Sequence, residues 1–350
     1  MRRHYQKSSK STFDIITRVS VIIIAVMSAR KKTSPKRKKI IVFIIVSLLS
    51  VSFVGGFALF NRLNKQFASA ESTSSLDQSY NTLLFVVVDD FSKETPTIKK
   101  LEYKVYDLEN KKIYSYNVSP AYKAELQGKF GNEPVSNFLA LGALNDDNNA
   151  SGGINFVNDA VFDLFAFPVD KYVYVDEDNA WGWGGLFKDG QFWLLLLGGR
   201  GNGAYTNAKL DELYRISNFI SGLPEDRIIN VDISTASNDS IDDNFREMTI
   251  GSKLAKEAKS IVVLNATSLA GVASFAARVV SNLGGRVVSV DNAENKFSED
   301  FIVADDPQDY SVRLLSRVFD IPKIISKEIA KQYVTDNQLY RADILLILGK

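Results

Sequence analysis

Four groups of residues carry side chains able to do chemistry. Asp89-Asp90, and later Asp176 with Asp178, follow apolar runs and set carboxylates at strand ends. Such carboxylates either offer oxygen to a hard cation such as Mg²⁺ or cap a turn by accepting backbone amides. Lys99-Lys100 add positive charge, but neighbours in an alternating strand face opposite ways, so only one reaches a given site. Trp181-Gly-Trp183-Gly-Gly and Phe192-Trp193 gather all three tryptophans within thirteen residues, with Arg200 just beyond. Aromatic faces at that density suit an apolar groove or a sugar platform. The competing reading is a glycine-turned hairpin whose apolar side chains fill the core. Arg200 is then either a solvated turn residue or the guanidinium placed to meet an anion. Asn265-Ala266-Thr267 leads into an amphipathic run. There, helix-start amides can hold an anion, or Thr267 or Ser268 serves as the helix cap.

Other chemistries are excluded by composition. The chain has no cysteine, so thiol nucleophiles, disulfides and thiolate metal sites are absent. Its one histidine is His4, which the membrane topology expected below puts on the cytoplasmic side, so Ser-His, Cys-His and His-zinc mechanisms are excluded for the exported part. Carboxylate, lysine, tyrosine and arginine chemistry remains, or none.

The elements that must position these residues are legible. Asn81 to Val88 reads as a buried strand running into Asp89. Leu101, Tyr103 and Val105 alternate with Glu102, Lys104 and Tyr106, and Glu109-Asn110 turns this strand into Lys112 to Val118 as a hairpin. Ile154, Val157, Val161 and Leu164 mark one helix, and Leu210, Leu213, Ile216 and Ile220 another. Phe167 to Asp176 is a turn and a strand, and Ile228 to Ile233 a further strand. Ser234 to Gly251 is polar and acidic and reads as a linker. Ile261 to Leu264 is apolar enough to be buried on both faces. Leu269, Val272, Ala276, Val279 and Leu283 then form one helical stripe. Gly284-Gly285 stops that helix by positive φ, and Arg286 to Val290 resumes a strand parallel to the first.

Ahead of these elements, residues 40–60 carry no charge, enough to cross a hydrocarbon core of about 30 Å. Arg30-Lys-Lys and Lys36-Arg-Lys-Lys39 precede this run and set the amino end inside. The rival reading is a cleavable signal peptide cut after Ala68-Ser-Ala70, for which the apolar run is long. A shorter apolar run, Val19 to Met27, is a second membrane segment, a surface helix, or lies upstream of a start at Met27. Residues 1–39 hold twelve Lys and Arg against the single acid Asp14, leaving thirty basic and forty acidic residues, a charge of −10, for the rest. A basic tail suits anionic lipid head groups. An acidic remainder argues against nucleic acid as a partner.

Several separated anchors resemble a known family. Val263-Leu264-Asn265-Ala266-Thr267, Ala270-Gly271, Val290-Asp291-Asn292-Ala293 and the final Ile347-Leu348-Gly349 look like the C-terminal domain of the LytR–CpsA–Psr cell-envelope family, with Ala266 where the family usually has Gly. Leu83 to Asp90, Leu101 to Val118 and Phe167 to Asp176 are similar to the catalytic domain of the same family. That resemblance implies transfer of a glycopolymer from a polyprenyl-diphosphate carrier to the wall, with a divalent metal on the acidic turn and several arginines on the diphosphate. Here the arginines are missing. Thr97-Ile98-Lys99-Lys100 stands where the family has Arg-x-Asp-Thr, and Val118-Ser119-Pro120-Ala121 where it has Ile-Pro-Arg-Asp. No arginine occurs between Arg62 and Arg200. A diphosphate in a partly dry pocket calls for planar, permanently charged forks, which lysine does not replace.

The expected protein is α/β: one transmembrane helix followed by two mixed α/β ectodomains. The expected divisions are a cytoplasmic tail 1–39, a span 40–60, a tether 61–80, a degenerate family-like domain 81–233, a linker 234–257 and a C-terminal domain 258–350. The expected function is non-catalytic binding or scaffolding of wall glycopolymer or peptidoglycan at the cell membrane, without a cofactor. The candidate contacts are Trp181, Trp183, Trp193, Arg200, Asn265 and Thr267. The alternative is a Mg²⁺-dependent phosphotransferase using Asp89 or Asp90 with Lys99 or Lys100.

Overall fold

The computed structural model describes residues 80–126, 131–145, 150–189, 204–234 and 236–349. The basic tail, the apolar run 40–60, Trp193 and Arg200 lie outside the described residues. Among the described residues, no helix is long and apolar enough to cross a membrane.

The first part of the chain runs β1 (Tyr80–Val88), β2 (Ile98–Asp107), β3 (Lys112–Val118), β4 (Lys123–Leu126), β5 (Gly131–Pro134), α1 (Phe138–Asn145), α2 (Ala150–Phe165), β6 (Lys171–Asp176), α3 (Ala180–Asp189), β7 (Ala204–Thr206), α4 (Leu210–Ser221) and β8 (Ile228–Asp232). Six of these strands form a mixed sheet in the order β7-β6-β1-β2-β3-β8. The expected hairpin is present as β2 and β3, with Tyr103 opposite Tyr116. Its alternation decides the faces. Leu101, Tyr103 and Val105 enter the main core, whereas Glu102, Lys104 and Tyr106 point to the other side. That core is closed by Ile154, Val157 and Val161 of α2.

Residues 234–257 are not an extended linker. They hold α5 (Asn238–Thr249) and α6 (Lys253–Glu257), and Ile241, Phe245 and Met248 are buried in the main core. Phe245 stacks on Phe167 at 4.7 Å and on Tyr116 at 5.0 Å. Of the acidic residues that suggested a linker, Asp239 and Asp243 lie on the wet face of an amphipathic helix while Asp242 is buried, and the helix start is capped by Ser237 accepting from the Ser240 amide.

The second part contains β9 (Ser260–Asn265), α7 (Val272–Asn282), β10 (Arg286–Asn292), β11 (Phe301–Val303), α8 (Tyr310–Val318), β12 (Ile324–Ile325), α9 (Lys327–Ala330), α10 (Asp336–Leu339) and β13 (Ile344–Leu348). Its five strands follow the order β10-β9-β13-β11-β12, with β9 and β10 parallel as expected. Apolar clusters cover both faces of β9, with Ile261 and Val263 on one side and Val262 and Leu264 on the other. Gly284 stops α7 with φ +90°. Leu269, placed on the helical stripe by its spacing, lies before the helix and is largely exposed. The helix starts later because Gly271, at φ +87°, is its N-cap.

Candidate functional site

The parallel pairing of β1 with β6 sets Val88 opposite Asp176, so the acidic strand ends meet at one edge of the sheet. This is the carboxyl end of both strands, where open α/β sheets bind ligands. Asp89 there is engaged through both oxygens, and Asp90 and Asp176 through one each. Asp89 Oδ1 accepts the amides of Asp90 and Thr97, each at 2.8 Å, and Asp89 Oδ2 accepts Lys93 Nζ at 2.8 Å. Asp90 Oδ1 accepts the Ser92 amide at 2.8 Å and its hydroxyl at 2.7 Å. Asp176 Oδ1 accepts the Phe91 amide at 3.0 Å.

The titration of these groups follows from the same contacts. Burial works against ionisation of Asp89, but the bonds from Lys93, Thr97 and Asp90 outweigh it and hold the carboxyl below its ordinary value. Asp90 is lowered by the hydroxyl and amide of Ser92. Asp176 is raised by burial and by the charges of Asp90, Asp178 and Asp89, against the Phe91 amide. Lys93, which the sequence reading did not single out, is the cation on Asp89. Its only sequence signal is the four-residue spacing from Asp89.

Mg²⁺ needs carboxylate oxygens free to point at the ion, and on Asp89 two amides and the Lys93 ammonium hold both. Among the described residues, no three Asp, Glu, His or Cys side chains converge as a ligand set.

The lysine pair expected beside Asp89 turns elsewhere. Lys100 Nζ pairs with Glu102 at 2.7 Å and lies 5.8 Å from the centre of the Phe85 ring. Lys99 is exposed. Arg215 and Arg227 are at the far end of the sheet. Arg227 closes the turn before β8, whose first residue Ile228 pairs with Ile113 at the start of β3. Arg215 shares a cavity with Lys171, the first residue of β6. Since β1 and β6 run away from that end, neither guanidinium converges on Asp89.

The aromatic stretch is helical where described, not a hairpin. Glycine costs a helix about 1 kcal/mol per residue, but Trp183, Leu186 and Phe187 recur at helical spacing and are buried together. Phe187 packs 5.2 Å from Phe85 of β1 and 6.1 Å from Trp183. Trp183 is therefore core, while Trp181 is 55% exposed on the opposite side of α3. The two do not form one platform.

Asn265 and Thr267 close a turn on themselves. Asn265 Oδ1 accepts the Thr267 amide at 2.9 Å and its hydroxyl at 2.8 Å, and Asn265 Nδ2 donates to the Leu269 carbonyl at 2.7 Å. Thr267 Oγ1 accepts the Leu269 amide at 2.9 Å. Neither Thr267 nor Ser268 caps the helix, because Gly271 does.

No protein-family description and no curated relative match the sequence. Among solved structures, the chain is similar to the transcriptional regulator yvhJ of Bacillus subtilis at 15% identity and a TM-score of 0.35, over 45% of this chain and 83% of that one. It is similar to TagV of B. subtilis at 12% identity and a TM-score of 0.34, over 45% and 85%. A third is YwtF (TagT), described as a LytR-CPS2A-psr family protein with bound octaprenyl pyrophosphate lipid, at 9% identity and a TM-score of 0.31, over 48% and 82%. TM-scores below 0.5 at such identities do not establish a shared family.

Proposed function

We propose that the protein is a cell-envelope glycopolymer-binding or scaffolding protein that does not transfer the polymer. On this reading it is held at the cell membrane by residues 40–60, with the basic tail against anionic lipids and the two α/β parts outside. The reading rests on the sequence resemblance for its theme. One observation carries its non-catalytic half: both oxygens of Asp89 are taken by Thr97, Asp90 and Lys93. A carboxylate so closed holds a turn, and phosphoryl transfer without a metal or a guanidinium fork lacks its main source of charge stabilisation.

The test uses the full chain in detergent, with a polyprenyl-diphosphate-linked glycan, Mg²⁺ and peptidoglycan fragments. Retention of glycan without phosphate release is the expected result. Release that disappears in Asp89→Asn would show an active phosphotransferase instead.

A further inference from the structure

The face of the main sheet turned away from its core carries a groove of about 1150 Å³, floored by β2, β3 and β8 and walled by α3 and the end of α4. A sheet face roofed by helices is ordinarily packed with apolar side chains. Here the central strand β2 sets Lys100, Glu102 and Lys104 on the floor instead. Lys100 and Lys104 flank Glu102 at 2.7 and 3.5 Å. Burial works against the charge of Glu102, but Lys104 and Lys100 outweigh it and keep the carboxylate ionised. Lys104 stands opposite Ser115 of β3 and donates to its Oγ at 3.0 Å, and Ser115 stands opposite Asn230 of β8. One polar row thus crosses three strands.

The buried members of this row satisfy one another. A ligand meets the exposed ones: Lys100, whose side chain is 50% exposed, the Asn230 amide, and Ser221 and Glu225 at the rim. These groups mix donors with acceptors. Among the described residues that line the groove, two lysines stand against two glutamates, so the lining exerts no net pull on an anion. An isoprenoid or acyl chain laid there would strip water from the charged ladder without replacing its hydrogen bonds. A hydroxyl-rich neutral ligand suits both halves of the lining, because each hydroxyl donates and accepts. Half-buried Leu223 and Ile228 offer apolar surface for the C–H faces of a sugar ring.

We propose that this groove seats a neutral oligosaccharide. It is then the place where the glycan of the function proposed above is held, and the inference rests on that reading for its theme.

Equilibrium binding to the full chain, in a detergent without a sugar head group, tests this. Maltotriose and triacetylchitotriose serve as neutral probes, trigalacturonate as an anion of equal length and farnesyl phosphate as an isoprenoid. At least one neutral trisaccharide is expected to bind, with trigalacturonate no tighter and farnesyl phosphate unable to displace it. Asn230→Leu removes a neutral hydrogen-bonding group and is expected to weaken binding about fivefold. Lys100→Met removes a charged donor and is expected to weaken it about tenfold. Gly184 lines the groove, and a Cβ built there meets no atom within 4 Å. Gly184→Trp is therefore expected to fold, as thermal melts would show, and to block the groove. Trisaccharide binding untouched by all three substitutions would put the sugar elsewhere, overturning this proposal while leaving glycan binding by the protein intact. Displacement by farnesyl phosphate, or tighter binding of trigalacturonate, would overturn the ligand class. Absence of neutral trisaccharide binding would also overturn it, and retention of the polyprenyl-linked glycan by the same protein then separates that failure from failure of the broader reading.

Discussion

Asp163, near the end of α2, has a carboxyl pushed up to about 6 by burial, with Asp159 adding to the shift and Arg278 opposing it. The folded chain therefore holds this proton more tightly than the unfolded chain. The sign follows: the associated stability is complete below about pH 4 and is lost as pH rises through about 6. Asp163→Asn removes the titration, so its stability relative to the native chain is expected to improve between pH 4 and 7. The carboxyl is partly screened by solvent, which limits the gain to on the order of 1 kcal/mol. Denaturant unfolding at the two pH values checks this, and equal differences would mean that the group is not desolvated. Asp89→Ala strips acceptors from two turn amides and is expected to cost about 1–3 kcal/mol. That loss would be read as a lower unfolding midpoint in denaturant. At this scale the sequence showed which residue types were present but not their partners. The Thr97 amide on Asp89 and Arg278 on Asp242 depend on contacts that no spacing encodes.

Helix α3 shows how far an element can depart from its composition. Its glycines argue against a helix, yet Trp183, Leu186 and Phe187 anchor one face on β1. Gly184 sits in that helix with open space where a Cβ would go. Gly184→Ala is therefore expected to stabilise the protein by about 0.5–1 kcal/mol, measured as a rise in unfolding midpoint. Gly284 behaves oppositely. Its φ of +90° and a Cβ position 2.6 Å from Ser252 Oγ and 2.7 Å from the Thr249 carbonyl leave no room for a side chain. Gly284→Ala is expected to destabilise by more than about 1 kcal/mol; a neutral effect would mean that the turn relaxes freely. The hairpin β2–β3, the strand β9 and the stop at Gly284 were all legible, because alternation, an unbroken apolar run and a glycine pair are local signals. The late start of α7 was not, since its cap is a glycine.

Across the whole molecule, one polar network joins the two parts of the chain. Arg278 of α7 donates through Nε to both oxygens of Asp242 in α5, at 2.7 and 2.9 Å. Its other nitrogens donate to the carbonyls of Leu164 and Asp163 at the end of α2, at 2.7 and 2.9 Å. Asn282 adds a bond to Asp242 at 2.9 Å. Val279, Leu283 and Leu314 meanwhile enter the main core. Asp242→Ala would leave a mostly buried guanidinium without its counter-charge, at a cost of about 3–5 kcal/mol. Because the network spans both sheets, a single shared unfolding transition is expected, moved to lower denaturant in the variant. Two separate transitions in the native chain would show that the parts fold independently. An acidic segment read as a linker thus contributes to the core, because a short amphipathic helix and a polar loop look alike until the apolar face has something to meet.

The bare order of residues determined the chemistry that is open to this protein. With no cysteine and no arginine from 63 to 199, thiol mechanisms and a local guanidinium grip on diphosphate were closed before any folding. It also determined the strands and most helices, since hydrophobic period is a local property. Tertiary structure alone decided which carboxylates are free, because Lys93 and Thr97 reach Asp89 only once the loop after β1 has closed. It also assembled the polar groove from Lys100, Gly184 and Asn230, which lie on a strand, a helix and a further strand far apart in the chain. The physical reason is that pairing partners and desolvation are set by long-range packing, whereas residue type and periodicity are written along the chain.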